Sequence, residues 1–182
     1  MHKTELRIRV FGDSCLRKRA KRIAEVTASH RETLSQMARI MYEHSGIGLA
    51  APQVGLSESM IVVDVGSGLF KMINPRIVKK EGRQALEEGC LSVPGICIKV
   101  NRARRVRVKG QDEFGNPLTV DVESLLACVF QHEIDHLRGK MIIDYASFME
   151  RLQVSKKLKG LKKRSSHEAM CQPEQKSCQL HL

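Results

Sequence analysis

The chain has no tryptophan, two tyrosines and five phenylalanines among 182 residues, and no apolar run near the roughly 18 residues that a membrane-spanning helix needs. Scarce aromatics argue against a single-strand nucleic-acid binder, which stacks bases on aromatic side chains set between its basic residues. The opening Met1-His2-Lys3-Thr4-Glu5-Leu6-Arg7 alternates charged and apolar residues and lacks the apolar segment of a signal peptide. A cytoplasmic protein without a membrane partner is therefore expected. Acid is also in short supply, with 20 acidic against 31 basic side chains and a formal charge of +11. Cysteine is too sparse for a disulfide-stapled secreted domain: Cys15, Cys90, Cys97, Cys128, Cys171 and Cys178 are spread along a chain longer than such domains usually are. A reducing compartment makes metal binding or catalysis the better use for any special thiol.

What is present fits one ordinary domain, which at this length buries roughly two thirds of its unfolded surface. No internal repeat or linker divides the chain. Ser29-His30-Arg31-Glu32 has the pattern of a capping box, and Leu34, Met37, Ile40 and Met41 follow at helical spacing. A helix is predicted over about 31–44, stopped by Gly46. Short β-rich runs follow at Met60 to Asp64, around Met72-Ile73 and at Ile96 to Val100, separated by Gly, Pro, Ser or Asn. Val106 and Val108 alternate with Arg105, Arg107 and Lys109, and Gly115-Asn116-Pro117 turns that strand into Leu118 to Val122 as a hairpin. A second helix is predicted from about Ser124 to Arg138, ended by Gly139. The chain then ends in a basic, helix-like stretch and, from about Ser165, a polar tail without periodicity, which is expected to be disordered.

On the second helix, at about 100° per residue, Leu125, Val129, His132 and His136 fall within a sector of about 60°. Two histidines thus continue an apolar stripe. His132-Glu133-Ile134-Asp135-His136 matches H-E-x-x-H, in which the histidines can bind one metal ion and the intervening acid lies beside it. A catalytic metal site has three protein ligands and one open position, so the third ligand decides the class. The metzincin extension needs a histidine at position 142, which is Ile142. A thermolysin-like site needs a later glutamate, and only Glu150, Glu168 and Glu174 follow the motif. Upstream, Glu87-Glu88-Gly89-Cys90-Leu91-Ser92 sets a cysteine between turn-forming and strand-like residues. Gly46-Ile47-Gly48-Leu49-Ala50-Ala51-Pro52-Gln53-Val54-Gly55 reads as a loop of small residues able to approach a ligand closely, with Gln53 its one side-chain amide donor.

GIGLAAPQVG, EGCLS and QHEIDH, in this order and at these separations, resemble the three signature motifs of peptide deformylases. The similarity runs from about Arg7 to Lys157 and includes Leu16-Arg17 and Met72-Ile73-Asn74-Pro75. The resemblance implies a single compact α+β domain, with mixed or antiparallel sheets around the motif-bearing helix and a C-terminal helix, spanning residues 1–164 ahead of the 165–182 tail. It implies a metal-dependent hydrolase of bacterial type that removes the formyl group from N-formyl-methionyl nascent peptides. Cys90, His132 and His136 would hold one divalent ion, Fe(II) in the cell and replaceable by Zn, Ni or Co. Glu133 would be the general base, and the Gln53 amide and the Leu91 backbone N–H would hold the oxyanion. Gly48 would touch the peptide backbone, and Glu88 would also line the substrate site. The methionine pocket would be formed by Ile47, Leu86, Leu125, Cys128 and Val129.

Two residues depart from the family's habit. Cys97 stands near the substrate entrance where many relatives carry a bulky or basic side chain, and Cys128 replaces what is often a larger aliphatic. The competing readings are another H-E-x-x-H amidase or peptidase, and a basic RNA- or ribosome-binding protein with a structural metal. A monomer is expected. Arg151, Lys156, Lys157, Lys159, Lys162, Lys163 and Arg164 put seven positive charges in fourteen residues without an acid, and ribosomal RNA rewards such clusters through counterion release. Phe148, Met149 and Leu152 are expected to dock the start of that helix on the core.

Overall fold

In the computed structural model, residues 6–166 are described. Helix α1 (Ala28–Glu43) buries Leu34, Met37, Ala38, Ile40 and Met41 on one face, as their spacing requires. It starts three residues before the expected 31. Thr27, not Ser29, is the N-cap, and its N–H donates to Nδ1 of His30 (3.0 Å), so a histidine fills the role assigned in sequence to Glu32.

The supposed loop after α1 holds a short strand, β1 (Gly48–Ala50), and a 3₁₀ turn over Ala51–Val54. With β2 (Met60–Val63), β3 (Phe70–Glu81), β6 (Arg105–Gln111) and β7 (Pro117–Glu123) it forms a five-stranded sheet in the order β1-β2-β3-β6-β7. A separate hairpin pairs β4 (Gln84–Glu88) with β5 (Ile98–Arg102). Every pairing within the two sheets is antiparallel. Strand β3 runs far beyond the expected Met72-Ile73, because its register shifts between Ile73 and Arg76, next to Asn74 at φ +54°. The shift breaks the period-2 pattern from which a strand is read. The β6–β7 turn falls where expected, with Asp112 Oδ1 accepting the N–H groups of Phe114 and Asn116, both at 2.8 Å.

Helix α2 (Ser124–His136) packs against β1, β2, β3, β6 and β7. From Ala127 to His136 every residue is buried. A helix enclosed on all sides is the centre of the domain, and the domain is a single α+β unit. Its core comprises three clusters, one between α1 and β1–β2, one between α2 and the sheet, and one joining Ile98 and Val100 of β5, Met141 to Ile143 and Leu161.

The basic stretch is helical as α3 (Phe148–Ser166), but its docking is not the one expected. Phe148, Met149 and Leu152 are exposed, at 75%, 63% and 53%. Val154, Leu158 and Leu161, spaced i, i+4, i+7, pack on the third cluster instead. Residues 167–182 of the expected tail lie outside the described residues. Among the described cysteines, Cys15, Cys90 and Cys128 are free. Cys97 is disulfide-bonded. No described helix is long and apolar enough to cross a membrane.

Gly139 turns the chain out of α2 at φ +73°, where an added Cβ would lie 2.4 Å from the Arg17 carbonyl oxygen, whereas Gly66, at φ +94°, has nothing within 4 Å. Gly66→Ala should cost about 1 kcal/mol of conformational strain. Gly139→Ala should lower the urea midpoint clearly further, because backbone must also move. Equal midpoints for the two variants would show that this contact has no bearing on stability.

Candidate metal centre

The helical period that carries Leu125 and Val129 to the sheet brings His132 and His136 to one side of α2, with their Nε2 atoms 3.2 Å apart. Cys90 lies two residues past the end of β4, and its Sγ lies 3.2 Å from His136 Nε2. One sulfur and two ring nitrogens thus lie within 4.8 Å of one another, in residues that are buried or half-buried. Among the described residues this is the sole cluster of that kind.

Around it lies a set of buried charges. Arg102, at the end of β5, donates from Nε to Glu88 Oε1 (2.7 Å) and from Nη2 to Glu88 Oε2 (2.8 Å). Its Nη1 donates to Asp135 Oδ2, which also accepts the Tyr145 O–H at 2.6 Å, and the guanidinium stacks 4.8 Å from the Tyr145 ring centroid. Glu88 Oε2 accepts from His132 Nδ1 at 2.9 Å, which fixes the tautomer and turns the Nε2 lone pair toward Cys90 and His136. Burial alone would raise the Glu88 pKa, but Arg102 and His132 outweigh it and hold the carboxyl at about 2.

The two imidazoles shift in opposite directions. Burial opposes charge on His132, yet the Cys90 sulfur, Glu88 and Glu133 outweigh burial and raise its pKa well above the ordinary value. Burial and the neighbouring His132 push His136 well below it. A thiolate with two imidazoles suits a divalent ion such as zinc or ferrous iron. Two buried polar atoms among the described residues, Glu133 Oε2 and His136 Nδ1, have no hydrogen-bond partner.

Glu133 is 3% exposed. Burial in the first place, with Glu88 and Asp135 adding to it, pushes its pKa up to about 7, so the carboxyl can gain and lose a proton near neutral pH. Gly48 of β1 lies against it, and a Cβ there would fall 2.3 Å from Glu133 Oε1 and 2.7 Å from Val129 Cγ1. Gln53 is buried on the same side of the site. Its Oε1 accepts the Ala50 N–H (2.8 Å), and its Nε2 donates to Cys90 Sγ (3.6 Å) and Ser92 Oγ (3.3 Å). The Leu91 side chain packs on the first core cluster, where a Cβ on Gly46 would meet its Cδ1 at 2.9 Å. The first two motifs are therefore in contact.

Of the residues expected to line the substrate site, Ile47, Leu125 and Val129 belong to the α2–sheet cluster. Leu86 shares the inward side of β4 with Gln84 and Glu88. Those two neighbours reach α2, Gln84 Nε2 donating to Cys128 Sγ at 3.1 Å and Glu88 contacting His132. Glu88 has both oxygens engaged, by Arg102 and His132. Arg102, Tyr145 and Gln84 went unread in the sequence, and Asp135 and Ser92 stood in its motifs without a role. One signal for Arg102 was there, since Ile98, Val100 and Arg102 form the inward set of β5, and an arginine at an apolar-patterned position calls for buried acids.

Residues 5–152 match the family model described as polypeptide deformylase. The peptide deformylase of Thermotoga maritima is 46% identical over 153 residues, covering 84% of this chain and 93% of its own length. That of Halothermothrix orenii is 49% identical over 141 residues, covering 76% and 92%. Among solved structures, the Legionella pneumophila peptide deformylase superposes with a TM-score of 0.82 at 38% identity, covering 90% of this chain and 99% of the other. The plant peptide deformylase PDF1B gives 0.85 at 32% identity, with 96% and 98% covered.

Arg102→Met should strand two buried carboxylates and cost about 3–5 kcal/mol in urea unfolding. Arg105→Met, which breaks an exposed pair with Glu123, should leave the midpoint near that of the unaltered protein. Similar midpoints for both variants would remove Arg102 from its central structural place.

Proposed function

The chain belongs to the polypeptide deformylase family, and we infer that its half-buried Cys90 and buried His132, His136 and Glu133 carry out the family's reaction, the hydrolysis of the N-formyl amide of a nascent peptide to formate and a free amine. The observation that carries this reading is the convergence of three possible ligand atoms beside a buried carboxyl, one oxygen of which has no hydrogen-bond partner. Cys90, His132 and His136 would hold the ion, which supplies Lewis acidity, lowering the pKa of water and polarising the formyl carbonyl. Glu133 takes the proton from the attacking water and returns it to the departing amine, a double duty that suits a carboxyl whose pKa lies near 7. The Gln53 amide and the Leu91 backbone N–H hold the negative charge that develops on the formyl oxygen, each worth roughly 3 kcal/mol by the measure of other oxyanion donors. Gly48 lets the peptide backbone approach Glu133. Ile47, Leu86, Leu125, Cys128 and Val129 form the apolar pocket for the methionine side chain.

The resident ion is Fe(II), with Zn, Ni or Co able to replace it, and thiolate-bound ferrous iron makes the enzyme sensitive to oxygen. The catalytic domain spans residues 1–164. The protein is a monomer in the cytoplasm, where nascent chains carry the formyl group. The outward side of α3, which shows Phe148, Met149 and Leu152 and then Lys156 and Lys159, is the surface for the ribosome, a dense phosphate array.

Glu133→Ala should keep its metal, because the carboxylate stands beside the ligands, and lose nearly all turnover of formyl-Met-Ala-Ser. Cys90→Ala should lose both. Elemental analysis of anaerobically purified protein, paired with formate release, separates these outcomes. Metal loss in Glu133→Ala would make Glu133 a ligand and overturn the assignment.

For the ribosome, truncating α3 is a poor probe because Val154, Leu158 and Leu161 belong to the core. Lys156→Glu with Lys159→Glu keeps that packing. The double variant should sediment with ribosomes several-fold less well at low salt, each lost phosphate contact lowering the salt slope by about 0.7–0.9, with formyl-peptide hydrolysis unchanged. Undiminished sedimentation would reduce this face to a solubilising surface.

A further inference from the structure

We propose that Ser92 is a positioning residue for the reaction, its hydroxyl oxygen aiming the Gln53 amide at the formyl oxygen. This rests on the reading of Gln53 as an oxyanion donor and adds a residue to which that reading gives no part.

A side-chain amide has one acceptor oxygen and two N–H donors, and its last torsion is broad and nearly two-fold, so partners must set its direction. Gln53 has such partners on both ends. The Ala50 N–H donates to Oε1 at 2.8 Å, which excludes the flipped amide, since a flip would oppose two N–H groups. At the other end, Nε2 lies 3.6 Å from Cys90 Sγ and 3.3 Å from Ser92 Oγ. The proton on the sulfur side lies toward the ligand cluster, where the reacting carbonyl must enter. The proton toward Ser92 lies away from it. Ser92 therefore anchors the N–H that the reaction does not use, and thereby orients the N–H that it does.

Among the described residues, the Ser92 side chain makes no other hydrogen bond, and the backbone places this segment. Ser92 is fully buried, and its carbonyl accepts the Phe11 N–H at 2.8 Å while the Gln53 carbonyl accepts the Arg9 N–H at 2.7 Å. Two donors two residues apart on one N-terminal segment thus join the backbones of the first and second motifs. Ser92→Ala leaves both of these bonds, the Cys90 ligand and the Ala50 anchor in place. It removes only Oγ, and the second N–H becomes a buried donor without a partner that turns the amide to find another.

The test is a double-mutant cycle on the metal-loaded enzyme, with formyl-Met-Ala-Ser as substrate and kcat, KM and metal content measured for the unaltered protein, Ser92→Ala, Gln53→Ala and the pair. Ser92→Ala should lower kcat roughly tenfold, a part of the roughly 10²–10³ that deleting an oxyanion donor costs, with KM and metal content unchanged. In the Gln53→Ala background the same substitution should do nothing further, because a residue acting through Gln53 has nothing left to aim. An equal factor in both backgrounds, or no loss in either, overturns the proposal. If Gln53→Ala by itself leaves kcat intact, the oxyanion reading fails and takes the proposal with it. If Gln53→Ala is slow and Ser92→Ala is not, the proposal alone fails. Should Ser92→Ala not fold, Ser92→Cys, which keeps the shape with a weaker acceptor, carries the same comparison.

Discussion

The guanidinium of Arg102 sits where three elements meet: β5, which bears it, β4, which brings Glu88, and α2, which brings Asp135. Taking such a charge out of water costs several kcal/mol, recovered only if geometry and hydrogen bonds are good. Here they are, with a bidentate contact to one carboxylate, a third bond to another, and the Tyr145 ring stacked on the plane. The β4–β5 hairpin shares no ladder with the five-stranded sheet, so this ion network and the apolar packing around it set where the hairpin lies on α2. Cys90 leaves the end of β4, two residues beyond Glu88. The placing of the hairpin is therefore also the placing of the thiol against His132 and His136.

The same network determines how the site handles protons. Glu88 is paired twice and stays ionised, orienting His132 through Nδ1. Glu133, next to His132 on α2 and just as enclosed, is raised chiefly by burial, which with the like charges of Glu88 and Asp135 outweighs His132 and Arg102. Two glutamates on facing elements are thus driven in opposite directions by environment alone, one held as an anion and the other raised toward neutral pH. Gly48 completes the arrangement from the other side, because any side chain there would occupy the space of the Glu133 carboxyl.

Helix α3 separates its tasks by face. Its inner stripe, Val154, Leu158 and Leu161, seals the third core cluster, and Lys157 Nζ donates to the Gly95 carbonyl at 3.1 Å next to the β5 hairpin. Its outer side keeps three large apolar residues and a run of lysines in water. Apolar side chains of that size left exposed together are a common mark of a surface that meets a partner.

Local chemistry made a good part of this protein legible from its sequence. The stripe that carries Leu125 to His136 could be read because helical period depends only on residue order, and Val106, Val108 and the turn before Pro117 announced a hairpin for the same reason. Other features were decided by tertiary structure. Strand β3 lost its alternation at the Asn74 irregularity, and its charged end is a strand only because β6 pairs with it. The GIGLAAPQVG segment carries a strand because β2 offers it an edge. Thr27 caps α1 through a histidine that no sequence pattern favoured. On α3 two apolar sets were available to the core, and the fold buries Val154, Leu158 and Leu161 and leaves Phe148 and Leu152 exposed. Above all, no spacing in the sequence brings Cys90 to His136 or Ser92 to Gln53, residues 46 and 39 positions apart. Order along the chain determined which side chains each element could present, and only the folded chain, closing over a buried arginine, determined which of them would meet.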